Sequence, residues 1–161
     1  MKPFLEKIFS YEDVRGDLNE LGEWSSESTI NVKWSSSKKG VVRGLHWQQG
    51  ESQQKKYISV ISGKIFDVCL NLETHEIYTF YIESNQRSRL IVPSGYAHGF
   101  QALEENTVVL YASIPGYDQQ SERAVNPAII SRFGINWPLA PLLSEKDSKA
   151  STQIDDLSSQ S

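Results

Sequence analysis

The stretch VVRGLHWQQG, residues 41–50, sets Arg43, Gly44 and His46 inside an otherwise apolar run. An imidazole titrates near neutral pH, so it can take a proton from carbon and be recycled. A guanidinium matches phosphate oxygens with two parallel hydrogen bonds. Strict alternation along a strand puts Arg43 and His46 on opposite faces, and Gly44 between them permits a bulge that turns both toward one site. A lone histidine in a strand is more often structural than catalytic, so these residue types alone leave both readings open. In VPSGYAHGF a Pro-x-Gly turn can reverse the chain and deliver His98 to the start of the next strand. Lys56 follows Lys55, and the spacing to Gly63 favours Lys56 as the inward member of the pair. Taken singly, Tyr111 reads as a core aromatic, Tyr117 as a packing or sugar-stacking residue, and Asp147 in SEKD as an exposed helix start. Arg15 in DVRG reads as a surface charge, and Trp47 and Trp137 as core or interface anchors.

The elements that must hold these residues are short strands. In IFDVCLNL, Phe66, Val68, Leu70 and Leu72 fall on one face and Ile65, Asp67, Cys69 and Asn71 on the other, a period of two. The same pattern runs through VVRGLHW, YISVI, IYTFYI, RLIVP, GFQAL and TVVLYASI, punctuated by Ser-Gly, Pro-Ser-Gly, Glu-Asn and Pro-Gly turns. Closely spaced strands of this kind predict a β-sandwich or barrel. Helical periodicity is confined to the residues after Pro127 and to LLSEKD. With 161 residues, 39% of them hydrophobic, the chain suits one core and one domain, here residues 1–148, followed by a polar, Ser-rich flexible tail over 149–161. A net charge of −4 with scattered Lys and Arg argues against a nucleic-acid binder. The single cysteine, Cys69, can form no internal disulfide, MKPFLEKIF lacks the apolar core of a signal peptide, and no apolar run is of bilayer length. The expectation is a soluble, cytoplasmic protein without a membrane partner.

The turn before His98 is similar to the second motif of the cupin barrels. Metal-binding cupins carry a first motif with two histidines one residue apart and a following glutamate. GLHWQ offers one histidine, with His75 of LETHEI the remaining imidazole, so a metal-free barrel is expected. In order and spacing DVRG, VVRGLHWQ, SGKIFDV with a lysine before it, VPSGYAHGF, LYASIPGY, INWP and LLSEKD resemble the dTDP-4-dehydrorhamnose 3,5-epimerases of deoxysugar biosynthesis. That resemblance implies an all-β, cupin-like jelly-roll barrel with short helical segments near the C-terminus, acting as a homodimer without metal or organic cofactor. It implies a nucleotide-linked 4-keto sugar as substrate, with His46 as base, Asp147 orienting it, Tyr111 as acid and Lys56 facing the developing oxyanion. Arg43 would hold the diphosphate, His98 with Asp67 would shape the polar site, and Arg15, Glu20, Gln48 and Tyr117 complete the substrate-binding set.

The chain also departs from that family's pattern. Asp17 stands where an aromatic usually follows the first RG, and Asn31 and Lys33 stand where the family has a Gln-x-Asn pair. The segment between Glu20 and Asn31 is short enough to have lost a helix, and RAVNPAII is an abbreviated loop. These positions bear on the nucleotide, the sugar and the choice between C3, C5 or both. Three classes therefore stand side by side: a 3,5-epimerase, a related single-site epimerase or ketoisomerase, and a noncatalytic cupin binding module.

Overall fold

Residues 1–153 are described by the computed structural model. The strands in chain order are β1 (Phe4–Lys7), β2 (Phe9–Asp13), β3 (Gly16–Glu20), β4 (Asn31–Ser37), β5 (Val42–Gln48), β6 (Lys55–Ser62), β7 (Lys64–Asn71), β8 (Ile77–Glu83), β9 (Ser88–Val92), β10 (Tyr96–Ala102), β11 (Thr107–Ile114) and β12 (Glu122–Ala124). One helix, α1 (Glu145–Lys149), and a 3₁₀ segment, Pro127–Phe133, follow them. Two antiparallel five-stranded sheets result, ordered β1-β9-β6-β11-β4 and β12-β5-β10-β7-β8. They pack as a jelly roll of two ladders, so the expected all-β cupin-like fold is present without a continuous ring of hydrogen bonds.

The alternation in β7 decides what lies on each side of the second sheet. Ile65 and Cys69 face the first sheet and pack with Ile58, Val60, Leu90, Val109 and Phe100 between the layers. Phe66, Val68 and Leu70 face the other way, under Val125, Ile129 and Ile130 of the C-terminal segment, with Trp137 meeting Phe66 edge-on at 5.9 Å. Both faces of β7 are buried, which accounts for its near-continuous apolar sequence. Full burial of each such aliphatic or aromatic side chain contributes about 1.5–3 kcal/mol. That is ample to hold the C-terminal segment against the sheet.

Sequence periodicity missed some elements. β4 alternates Val32 and Trp34 with Asn31, Lys33 and Ser35, but its polar half reads as loop. β12 is only three residues long, and β10 begins at Tyr96, which puts His98 inside the strand rather than at its start. Residues 21–30 contain no helix. The helical readings after Pro127 and at LLSEKD correspond to the 3₁₀ segment and α1. The β2–β3 hairpin forms its own two-stranded sheet and exposes Phe9, Tyr11, Val14 and Leu18. Of the expected flexible tail, residues 154–161 lie outside the described residues. Among the described residues no helix is long and apolar enough to cross a membrane.

Candidate active site

A cavity of about 330 Å³ opens between the two sheets. β5 would ordinarily send Arg43 and His46 to opposite sides. His46 pairs with His98 and Arg43 with Phe100, so Gly44 and Leu45 together face the single residue Gly99, and this bulge turns both polar side chains into the cavity. Gly44 has φ +125°, and a Cβ there would stand 2.5 Å from Gly99 Cα and 2.7 Å from the His98 carbonyl oxygen. No other residue fits without moving β10.

On the β5 side, His46 Nε2 meets Asp147 Oδ1 at 2.6 Å. Asp147 is delivered by α1, whose N-terminus is capped by Ser144 Oγ accepting from the Asp147 amide at 3.1 Å. Burial works against the Asp147 charge, but hydrogen bonding to His46 and the nearby imidazole charge outweigh it and hold the carboxyl below its ordinary value. A few ångströms of chain away, Lys146 Nζ binds Glu122 Oε2 at 2.6 Å, and Tyr117 donates to the same oxygen at 2.9 Å. The outcome is a short helix tied to β12 at one residue and to the imidazole at the next.

The opposing sheet contributes Lys56, Tyr111 and three residues of β4, Lys33, Trp34 and Ser35. Lys56 Nζ donates to the His46 carbonyl at 3.0 Å. Desolvation brings its pKa down to about 8, with Cys69, Asp67 and Glu122 favouring the charge and Lys33 opposing it. Lys55 points elsewhere, its ammonium 5.0 Å from the Tyr57 ring centroid. The Tyr111 hydroxyl is 2.7 Å from Ser35 Oγ, and burial raises the phenol pKa to about 12. Lys33 is paired across from Tyr111 in the ladder and lies 5.4 Å from the centre of the Tyr117 ring.

Between the walls lies the buried pair of His98 Nε2 and Asp67 Oδ2, 2.8 Å apart. Cys69 joins them, its thiol donating to Asp67 Oδ1 at 3.5 Å. The three offer metal-ligand atom types within 4.8 Å of one another. Burial and then the Asp67 carboxylate push the thiol pKa well up, which keeps Cys69 a protonated donor to Asp67. The arrangement is that of a hydrogen-bonded floor.

The structure thus brings together His46, Asp147, Tyr111, Lys56, Arg43, Gln48, His98, Asp67 and Tyr117. Arg43 is held by Ser37 Oγ at 3.0 Å and the Ser36 carbonyl at 3.2 Å. Gln48 braces the loops by donating to the Ser52 carbonyl at 2.9 Å and accepting from the Asp118 amide at 2.8 Å. Arg15 and Glu20 are not brought in: both are exposed on the β2–β3 hairpin, where Arg15 is engaged by Asp13 at its own turn. Ser35, Glu122 and Lys146 were not singled out from sequence. Ser35 shares one side of β4 with Asn31, Lys33 and Ser37, and with no apolar residue on that side its spacing carries no strand signal.

The family model for dTDP-4-dehydrorhamnose 3,5-epimerase matches residues 7–155. The chain is 37% identical over 155 residues to the dTDP-4-dehydrorhamnose 3,5-epimerase of Salmonella typhimurium, covering 90% of this chain and 82% of that protein. The epimerase of Mycobacterium tuberculosis superposes with a TM-score of 0.87 at 28% identity, covering 98% of this chain and 86% of that one. A third relative, dTDP-6-deoxy-D-glucose-3,5-epimerase of Legionella pneumophila in complex with dTDP-4-keto-L-rhamnose, superposes with a TM-score of 0.83 at 26% identity, over 92% and 86% of the two chains. A cavity that gathers an imidazole–carboxylate pair, a phenol and a lysine between two jelly-roll sheets, in a sequence matched over this length, shows that the chain belongs to the dTDP-4-dehydrorhamnose 3,5-epimerase family.

Proposed function

We propose that the chain epimerises a nucleoside-diphosphate-linked 4-keto-6-deoxy sugar at C3, C5 or both, with His46 as base and Tyr111 as acid. The observation that carries this is the placement of the two groups: His46 stands on β5 of one sheet and Tyr111 on β11 of the other, and both line one cavity. The C4 carbonyl acidifies its neighbouring C–H bonds, because removing either proton gives an enolate spread onto the carbonyl oxygen. His46 takes the proton, Asp147 stabilises the imidazolium, and the Lys56 ammonium faces the oxyanion. Tyr111 returns a proton to the opposite face of the ring. No metal or organic cofactor is needed for any of these steps.

The Legionella relative holds a dTDP-linked keto sugar, which supports the same substrate class here. Arg43, Lys33 and Lys56 supply positive charge to the cavity, while Glu122, the one carboxylate among its described lining residues, is already engaged by Lys146. That balance suits a diphosphate. Lys33 stands where the family has a neutral residue and lies beside the Tyr117 ring, so nucleotide preference is where this chain is expected to differ. A ketoisomerase is the second reading, on the same fold and substrate class. Deuterium from solvent separates them: over a panel of dTDP-, UDP-, GDP- and CDP-linked 4-keto sugars, an epimerase washes label into C3 or C5, whereas an isomerase moves the carbonyl. No exchange with any of them would leave a binding module.

A homodimer in the cytoplasm completes the reading. The exposed apolar side chains of the β2–β3 hairpin, with Val32 and Trp34 on edge strand β4, are the surfaces a second copy would cover. Sedimentation at micromolar concentration should give twice the chain mass, and a monomer would contradict this part.

A further inference from the structure

Tyr117 lines the cavity with nearly half of its surface open, and it is held from both walls. From the second sheet, Glu122 of β12 accepts its hydroxyl at 2.9 Å and is itself fixed by Lys146. From the first sheet, Lys33 of β4 sets its ammonium over the ring, 5.4 Å from the centre. The two holds differ in kind. The hydroxyl sits in a charge-assisted hydrogen bond, whereas the ring is capped by a cation–π contact, and among the described residues no carboxylate or carbonyl receives the Lys33 ammonium. Burial then sorts the cations. Lys33 and Arg43 are exposed, whereas the Lys56 ammonium is desolvated and the Tyr111 phenol largely buried. A sugar set between His46 and Tyr111 leaves its diphosphate toward the exposed rim, where Arg43 is already anchored by Ser37 and the Ser36 carbonyl and the Lys33 side chain can swing.

This inference rests on the reading of the substrate as a diphosphate-linked sugar and deepens it. We propose that Lys33 is a diphosphate-operated cover on Tyr117: phosphate draws its ammonium off the ring, and the bared ring face then packs against the sugar. An exposed cation–π contact shifts an equilibrium by about two- to fivefold, whereas a charge-assisted hydrogen bond to phosphate shifts it by about tenfold or more. The exchange therefore runs toward phosphate. Tyr117 stays in place throughout, because its hydroxyl is still tied to Glu122. The part of the substrate remote from the reacting carbons thus completes the site that holds them. Lys33 is accordingly a positioning residue that acts through Tyr117, in addition to the charge it brings to the cavity.

The test is made on the free enzyme with inorganic pyrophosphate, so it needs no turnover. The seven tyrosines are ring-labelled for NMR, Tyr117→Phe identifies the Tyr117 signal, and binding is followed separately by calorimetry. Saturating pyrophosphate should move the wild-type Tyr117 signal to the position it holds in Lys33→Gln without ligand. In Lys33→Gln pyrophosphate should bind about tenfold more weakly and, at saturation, leave the Tyr117 signal where it is. Lys33→Arg should restore both the affinity and the shift. A wild-type signal that stays still at saturation overturns the proposal, and so does an equal shift in Lys33→Gln, which would assign the change to the phosphate itself. Equal pyrophosphate affinity in wild type and Lys33→Gln overturns it as well, as does a wild type that binds no pyrophosphate. None of these results touches the epimerase reading, which fails separately if no label enters C3 or C5 of any sugar in the deuterium panel.

Discussion

The two walls of the cavity solve opposite problems with opposite surroundings. On the β5 wall the imidazole is part-exposed and backed by a buried carboxylate, which, in the proposed role of base, would give it a counter-charge on accepting a proton and water to discharge into afterwards. On the β11 wall the phenol is buried against a neutral serine, with its pKa raised to about 12, so it rests as a full proton donor. The difference teaches that inversion needs two chemically unlike sides. In the proposed reaction one side takes and the other gives, and burial with a neutral partner versus exposure with a carboxylate is what makes them unlike.

Removing the receiving side should have the largest effect. His46→Asn is expected to lower solvent exchange at every epimerised carbon by on the order of 10⁴-fold, with the fold intact by circular dichroism. Near wild-type exchange would end the assignment of His46 as base. Asp147→Asn keeps the shape of the helix but removes the counter-charge, and a loss of roughly 10³-fold in turnover is expected; an unchanged rate would make Asp147 only a helix-start residue.

Lys56 sharpens the comparison because it reaches across from one wall to the backbone of the other. Desolvation depresses its pKa from 10.5 to about 8, so the ammonium proposed to steady the enolate is present below that pH and lost as pH rises through it. Turnover should therefore fall above about pH 8. In Lys56→Gln the falling limb should vanish while the rate at neutral pH drops about 10²-fold; a limb that persists in this variant would belong to another group. The smallest effect is expected at the Glu122–Lys146 pair, which is partly exposed. Lys146→Gln should cost no more than about fivefold in turnover, through looser placement of Asp147. A loss as large as that of Asp147→Asn would instead give the ammonium a direct role with substrate.

The sequence was most readable where burial is two-sided. β7 and β11 announce themselves because both of their faces or one whole face must be apolar, and the alternation leaves few other assignments. β4 was unreadable for the converse reason: as an edge strand beside a polar cavity, it turns Lys33 and Ser35 to that cavity, and the period-two signal depends on apolar inward positions. The approach of Arg43 and His46 to one site turned on Gly44, whose need for glycine is visible only when Gly99 lies against it. Arg15 illustrates the reverse limit. Its motif was legible, but Arg15 is exposed on its hairpin, paired with Asp13, and does not line the cavity of its own chain.

The central claim is that proton removal and proton return occur from opposite walls, and Tyr111→Phe tests it most directly. The variant keeps the ring and its packing against Phe100 but deletes the donor. His46 can then still form the enolate and return a proton to the face it came from. Measured in D2O on the same sugar nucleotide, the ratio of exchange to inversion should rise well above that of wild type, with exchange itself largely retained. Inversion of the sugar at the wild-type rate by Tyr111→Phe would contradict the account and make Tyr111 a packing residue.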